Sequence, residues 1–268
     1  MKGIADYRFL ELLGEGNHGT FWKAEAPDRL GIDAEHVAVK VLAHRATDDD
    51  VARFGRELRH YSAVMAEELV PLLDAGHQDG QLFYATPWYR RGSLDAAVGV
   101  LDRGEVITAI ADAARAAHAL HEAGIAHRDI KPANITLTDE GRGRLGDLGL
   151  AQALSPGKTI TGIGPVGAVE YLSPELVRGD RASRTSDVWA LGAAMHRALT
   201  GRSMYPGLPA DLLAALRHVV SSRPVIDSLA TDAEAEVIAW TLEVEPAKRP
   251  STALALATRL DELVGAAR

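Results

Sequence analysis

His127-Arg-Asp-Ile-Lys-Pro-Ala-Asn134 places an Asp, a Lys two residues on and an Asn five residues on within one short stretch. Pro132 restricts the backbone in its middle, and apolar segments flank it on both sides. An ordinary polar loop would not need so many fixed donors and acceptors there. Shortly downstream, Gly146-Asp147-Leu-Gly149 adds another carboxylate. Asn134 and Asp147 thus bring two hard oxygen donors within one hairpin, a set suited to Mg²⁺ holding phosphates.

Upstream, the chain reads as strands. Tyr7-Arg-Phe-Leu-Glu-Leu-Leu13 is apolar and β-favouring and stops at Gly14, and Thr20-Phe-Trp-Lys-Ala24 resumes the pattern. Between them Gly14-Glu-Gly-Asn-His-Gly19 is a G-x-G-x-x-G with strands on both sides, whereas a dinucleotide fold puts that pattern between a strand and a helix. It reads either as a plain hairpin turn or as backbone N–H groups that approach phosphate oxygens with no Cβ in the way. Val37-Ala-Val-Lys-Val-Leu42 is a third strand. Its Lys40 is either a snorkelling surface residue or a phosphate-binding cation that needs an acidic partner, and Glu57 is the candidate partner.

From Thr47 the period changes. Asp48, Asp49 and Asp50 suit a helix N-terminus, and Val51, Phe54, Leu58 and Tyr61 follow at helical spacing. Leu69–Leu73 and Gln81–Thr86 read as two more strands, and Pro87 marks the expected domain boundary. Beyond it, Glu105–Ala123 carries Val106, Ile110, Ala113, Ala117 and Leu120 on one stripe. Asp187–Leu199 is apolar almost all round, as in a helix buried on every side. Thr231-Asp-Ala-Glu234 fits a capping box for a helix to about Val244, and Ser251 is the expected cap of a last helix with the stripe Leu256, Leu260, Leu263 and Val264. Five strands with one helix, then a larger helical half, predict an α+β arrangement in two lobes. His118 and His121 share a helical face, where packing under the loop outweighs metal binding. Arg90, Arg91 and Arg103 read as surface charges, with substrate docking as the alternative.

Composition removes several function classes. Lys and Arg number 29 against 37 Asp and Glu, an acidic balance that argues against a nucleic-acid binder. The absence of Cys excludes disulfides, thiolate catalysis and Cys-ligated zinc. No stretch reads as a secretory signal or as a membrane span, so the expected location is cytoplasmic.

The motif series resembles the eukaryotic-type (Hanks-type) Ser/Thr protein kinases in their bacterial branch. The resemblance runs through the Gly-rich loop, Val-Ala-Val-Lys40, Glu57, His127–Asn134 and Asp147-Leu-Gly149. It continues through Tyr171-Leu-Ser-Pro-Glu175, Ser186-Asp-Val-Trp-Ala-Leu-Gly192 and Lys248-Arg-Pro250, whose Arg249 would pair with Glu175. It covers nearly the whole chain, in the family's order. It implies a bilobal fold, with a small β-rich N-lobe over residues 1–86 and a mainly helical C-lobe over 87–268, together one kinase domain.

By position, the resemblance assigns Asp129 to orient the substrate hydroxyl and accept its proton, and Lys131 to neutralise γ-phosphate charge. Asn134 and Asp147 would hold Mg²⁺, with Mn²⁺ as a substitute. Lys40 would grip the α/β-phosphates of ATP, and Glu57 would hold Lys40. Leu13, Gly14, Glu15, Gly16, Asn17, His18, Gly19, Phe21, Ala38, Thr86, Trp88 and Thr136 complete the implied ATP site, with Thr86 at the back of the adenine pocket and Pro87–Tyr89 as hinge. The partners would be Ser/Thr-containing proteins, with a transient homodimer for autophosphorylation. Thr159 and Thr161 are the expected phosphorylation sites, and Arg128 is the cation that would meet their phosphates.

Three positions depart from the family pattern. Phe21 stands where a small Val roofs the adenine, and Thr136 where Leu or Ile lies below it. A buried hydroxyl without a partner costs free energy, so Thr136→Leu is expected to tighten ATP binding. Ala168 lacks the Thr hydroxyl that bridges the catalytic Asp and Lys. These departures alone favour a nucleotide-binding pseudokinase. A small-molecule phosphotransferase is the other rival, and Lys131-Pro132 and Ser173-Pro-Glu175 argue against it.

Overall fold

Val37 through Leu42 are all buried, so this strand has no solvent face. It belongs to the first of two compact units into which the chain divides. The computed structural model describes residues 2–16, 19–147 and 166–266; Asn17, His18, Leu148, Gly149, Thr159 and Thr161 lie outside these. Of the described residues, the first unit takes 2–16, 19–63 and 70–89, and the second 64–69, 90–147 and 166–266.

The first unit is a six-stranded antiparallel sheet, β1 (Gly3–Ile4), β2 (Tyr7–Gly16), β3 (Gly19–Glu25), β4 (His36–Arg45), β5 (Asp74–Gln78) and β6 (Gln81–Pro87). Its order is β1-β2-β3-β4-β6-β5. Ile4, Tyr7, Ala24, Val37, Val39, Val41, Phe83 and Ala85 form one apolar cluster in it. Helix α1 (Asp48–Ser62) opens with a reciprocal capping box between Thr47 and Asp50 and buries Phe54, Leu58 and Tyr61. Two expectations are corrected here. β1 adds a sixth strand, and Leu69–Leu73 is not a strand: Leu69 makes one isolated bridge to Leu145. The fifth strand lies further on, at Asp-Ala-Gly-His-Gln, because pairing along β6 (Asp74 opposite Ala85, Gln78 opposite Gln81) outweighs the weak β propensity of those residues.

In the second unit, helix α2 (Arg103–Glu122) is capped by Asp102 and Glu105 and is buried along most of its length. A short antiparallel hairpin follows, β7 (Ile135–Leu137) with β8 (Gly143–Leu145). Then come α3 (Pro174–Val177), α4 (Arg184–Thr200), α5 (Leu212–Ser221), α6 (Asp232–Thr241) and α7 (Ala253–Ala266). The near-continuous apolar run predicted around Trp189 is realised: Val188, Trp189, Leu191 and Met195 of α4 are all buried. Thr231 and Glu234 form the expected capping box, although the helix ends at Thr241 rather than Val244. At α7 the cap is Thr252, whose hydroxyl accepts from Ala255 N–H at 3.1 Å, and not Ser251. α5 went unanticipated.

Arg103 is not a free surface charge. Its Nε donates to Glu234 Oε1 at 2.9 Å and its Nη2 to the Leu229 carbonyl at 3.0 Å, tying the start of α2 to α6. Arg91 pairs with Glu105 at 3.2 Å, and Arg90 reaches Asp139 only at 3.5 Å in the open.

Candidate functional site

The loop that carries Asp129 is fixed by its backbone. Asp187, buried near the start of α4, accepts from the N–H groups of His127 at 2.7 Å and Arg128 at 3.0 Å. His121 of α2 completes it, with Nε2 donating to the same carboxylate at 2.8 Å. This network holds Arg128 at φ 76°, a left-handed conformation that a branched or long side chain rarely adopts unaided. His121 is therefore an anchor. The signal for Asp187 was present in the sequence, as one carboxylate inside an otherwise apolar helix, but its partners lie about sixty residues away.

His127 is fully buried. Its Nε2–H donates to the Gly146 carbonyl at 3.0 Å, and its Nδ1 accepts from Asp129 N–H at 3.4 Å. Burial holds the ring below the usual imidazole pKa, against the pull of Asp187 and Asp129, which keeps the neutral form that these two bonds require. On the other side of the loop, Gly146 N–H donates to the Asn134 carbonyl at 2.9 Å. The residue before Asp147 is thus tied to the residue that carries the candidate amide ligand. Asp147 itself sits at φ 53°.

Within the loop, Asp129 Oδ2 accepts from Lys131 Nζ at 2.8 Å and from Asn134 Nδ2 at 3.0 Å. Asn134 Nδ2 also donates to the Asp129 carbonyl at 2.7 Å. With its amide nitrogen committed to Asp129, Asn134 offers Oδ1 to a cation. That oxygen and the Asp147 carboxylate are the hard donors Mg²⁺ takes, alongside substrate phosphates. The donor set fits the metal that the resemblance implies. Asp129, Lys131 and Asn134 are brought together directly, and Asp147 follows Gly146 out of β8.

Thr136 differs from expectation. Its hydroxyl donates to the Arg144 carbonyl at 3.2 Å across the β7–β8 pair, so it is a satisfied group and the premise of a costly orphan hydroxyl fails. Ala168 is half-buried in a short 3₁₀ turn, Val166–Tyr171. The Glu175–Arg249 pair forms as expected: Nη1 and Nη2 reach the two carboxylate oxygens at 2.6 and 2.9 Å, with Arg249 stacked over Trp189 at 4.9 Å. Burial alone would raise the Glu175 pKa, but the Arg249 bonds outweigh it and hold the carboxyl below its usual value.

In the first unit, Leu13, Gly14, Glu15 and Gly16 lie on β2, and Gly19 opens β3. Backbone packing demands glycine at Gly19: at φ 130°, a Cβ there would come within 2.0 Å of the Val41 carbonyl oxygen. Phe21 pairs with Lys40 across β3–β4, and Lys40 Nζ lies 4.9 Å from its ring centre. The ring that departs from the family pattern thus packs against the candidate phosphate-binding lysine. Ala38 stands opposite Thr86 in the β4–β6 ladder, and Glu57 is half-buried on α1. Trp88 is clamped by Lys23 at 3.7 Å and by an edge contact with His36 at 5.7 Å.

A small antiparallel sheet with one helix, followed by a mainly helical region whose polar loop joins Asp, Lys and Asn, defines a protein kinase fold. The pattern of the protein kinase domain family matches residues 7–260, and the chain belongs to that family. It is similar to the DNA damage-responsive serine/threonine-protein kinase RqkA of Deinococcus radiodurans, 33% identical over 94% of this chain and 38% of that protein. It also resembles the serine/threonine-protein kinases PknK of Mycobacterium tuberculosis (32% identical, 93% of this chain and 23% of that protein) and PrkC of Bacillus subtilis (34%, 81% and 34%). The chain spans less than two-fifths of the length of each of these relatives. Among the described residues, no helix is long and apolar enough to cross a membrane.

Proposed function

We propose that this chain is an ATP-dependent protein serine/threonine kinase, acting as one catalytic domain built from residues 1–86 and 87–268, on the cytoplasmic side where ATP is available. The observation that carries this reading is the division of labour at Asp129. Its Oδ2 is occupied by Lys131 and Asn134, which leaves Oδ1 to orient a substrate hydroxyl and take its proton. Lys131, held against the same carboxylate, would meet developing phosphate charge. Asn134 and Asp147 would hold Mg²⁺, or Mn²⁺ in its place, which when bound neutralises phosphate oxygens. Lys40 would grip the α/β-phosphates, with Glu57 aiming it. Catalysis of this kind is positioning and charge stabilisation.

The substrates would be proteins presenting Ser or Thr, among them a second copy of the chain, met transiently. Lys158-Thr-Ile-Thr161 is the proposed target, and Arg128 the proposed receiver of its phosphate. The test is incubation with radiolabelled ATP, Mg²⁺ and a generic basic protein, with mass spectrometry of the chain itself. Wild type labels the protein and carries phosphate on Thr159 or Thr161, whereas Lys40→Met does neither. Asp129→Asn lowers kcat by about 10²-fold or more with ATP affinity little changed. Nucleotide binding without any transfer would make the chain a pseudokinase. Full activity in a Thr159→Ala, Thr161→Ala double variant would remove the switch and leave the kinase.

A further inference from the structure

Asp112 is a fully buried carboxylate in the middle of α2, and the residues assigned above give it no role. Four donors converge on it. Arg142 donates from Nε to Oδ2 at 2.7 Å and from Nη2 to Oδ1 at 2.5 Å. Gly143 N–H donates to Oδ2 at 3.0 Å, and Arg115 Nη1 to Oδ1 at 3.1 Å. A buried carboxylate so satisfied is a rigid anchor, because losing any one donor leaves charge or a lone pair uncompensated in low dielectric. Arg142 and Gly143 sit where the turn of the β7–β8 hairpin enters β8. The hairpin is drawn so close to α2 that a Cβ on Gly143 would lie 2.4 Å from the Ala109 carbonyl oxygen.

The hairpin itself is only three residue pairs long, Ile135–Leu145, Thr136–Arg144 and Leu137–Gly143. A pairing of that length has little stability of its own, so its orientation is set by what grips it. Leu94 N–H donates to the Ile135 carbonyl at 2.7 Å, Leu137 N–H to the Gly92 carbonyl at 2.9 Å and Leu145 N–H to the Glu68 carbonyl at 2.8 Å, and Asp112 holds the turn end. The other end carries Asn134 and, through the Gly146-to-Asn134 hydrogen bond, the start of Asp147. The two ends are about 10 Å apart at ~3.3 Å per residue, so a shift of the turn at the Asp112 end is passed along β8 to Gly146.

We propose that Asp112 is a positioning residue. By clamping Arg142 and Gly143 it fixes the β7–β8 hairpin, and so sets the spacing of the Asn134 and Asp147 oxygens that would take Mg²⁺. The proposal rests on the assignment of those two residues as metal ligands. Arg115 shares the carboxylate but faces the other way, toward Asp261 of α7, and supplies the built-in control.

The test compares Arg142→Gln, which releases the hairpin, with Arg115→Gln, which releases α7 and leaves the hairpin's bonds in place. Arg142 has a half-exposed side chain, and after its replacement Arg115 and the Gly143 N–H still donate to Asp112; Arg142→Lys keeps the charge and serves as the conservative variant. Two quantities are read: hydrogen exchange of the Gly146 amide, and the Mg²⁺ concentration that half-saturates binding of a non-hydrolysable ATP analogue by calorimetry. In Arg142→Gln the Gly146 amide exchanges about tenfold faster, and the half-saturating Mg²⁺ rises about threefold or more. Arg142→Lys recovers part of both, and Arg115→Gln lowers the thermal midpoint without moving either. Unchanged exchange and Mg²⁺ dependence in Arg142→Gln would overturn the proposal, as would equal shifts in Arg115→Gln. A wild type that binds no Mg²⁺–nucleotide at all overturns the metal assignment instead, and the exchange measurement tells the two failures apart.

Discussion

The two units of this chain place their charges differently. In the first, the core is apolar apart from the buried Lys40, and the Arg29 ion pairs lie outside. Arg29 spans Asp6 and Asp74 with its side chain 46% exposed, and Asp74 also accepts from the Tyr7 hydroxyl at 2.6 Å. The second has surface pairs too, but it also holds ties inside: Asp112, Asp187 and Arg249 are all buried, each holding segments far apart in sequence. A sheet closes its own backbone hydrogen bonds, so its core can be largely apolar. A loop that must present a carboxylate, an amine and an amide in fixed array cannot, and its backbone is anchored by buried side chains. Charge is buried where geometry must be set.

Removing one partner from a buried pair should therefore be the largest stability effect. Arg249→Ala leaves Glu175 inside without its guanidinium, and the urea midpoint should report a loss of about 3–5 kcal/mol. A loss below ~1 kcal/mol would make this pair no different from a surface one and erase the contrast.

The pH dependence sharpens the same point. His127 is held neutral by burial, so its stabilisation is complete above the unfolded imidazole value of 6.5 and is lost as pH falls through that value toward the lower folded one. Glu175, whose folded pKa is also depressed, contributes above its usual 4.5 and loses that contribution as pH falls further. Each group adds a slope of up to about 1.4 kcal/mol per pH unit in its own window. Denaturant melts from pH 7.5 to 4 should show the decline beginning near 6.5, and it should persist in 0.5 M salt, since buried pairs are poorly screened.

Arg29→Ala probes the other region. Its pairs are half in solvent, so the expected loss is about 1 kcal/mol or less and should shrink further in salt. A larger, salt-insensitive loss would place the first unit in the same class as the second. Thr136→Leu should do least. Its hydroxyl already has the Arg144 carbonyl, so deleting it exchanges one satisfied bond for apolar area, and ATP affinity by calorimetry should stay within about 0.5 kcal/mol. A tightening beyond that would show the hydroxyl to be a burden on the pocket.

Sequence reading succeeded where the signal was local. The helix at Thr47, the capping box at Thr231 and Glu234 and the buried helix around Trp189 each follow from neighbours within a turn or two. The misplaced strand at Leu69–Leu73 shows the limit. Pro71 stands in its middle and has no N–H to give a ladder, and backbone pairing along β6 selected Asp74–Gln78. The cap of the last helix was misread by one residue because Ser251 and Thr252 are equivalent as sequence, and only the geometry at Ala255 separates them.

For the candidate site, residue types and spacing marked Asn134 and Asp147 as hard oxygen donors, and the resemblance to the kinase family assigned Asp129 and Lys131 their expected roles. The anchors that hold them, Asp187 with His121 and Asp112 with Arg142, could not be read as such. A polar residue in a helix states that it needs a partner, but the partner lies 30 to 66 residues away. The sequence by itself thus determined the chemistry on offer and the kinase family. Only the tertiary structure decided which buried charges meet, because compensating a charge in low dielectric depends on distances that the folded packing alone sets.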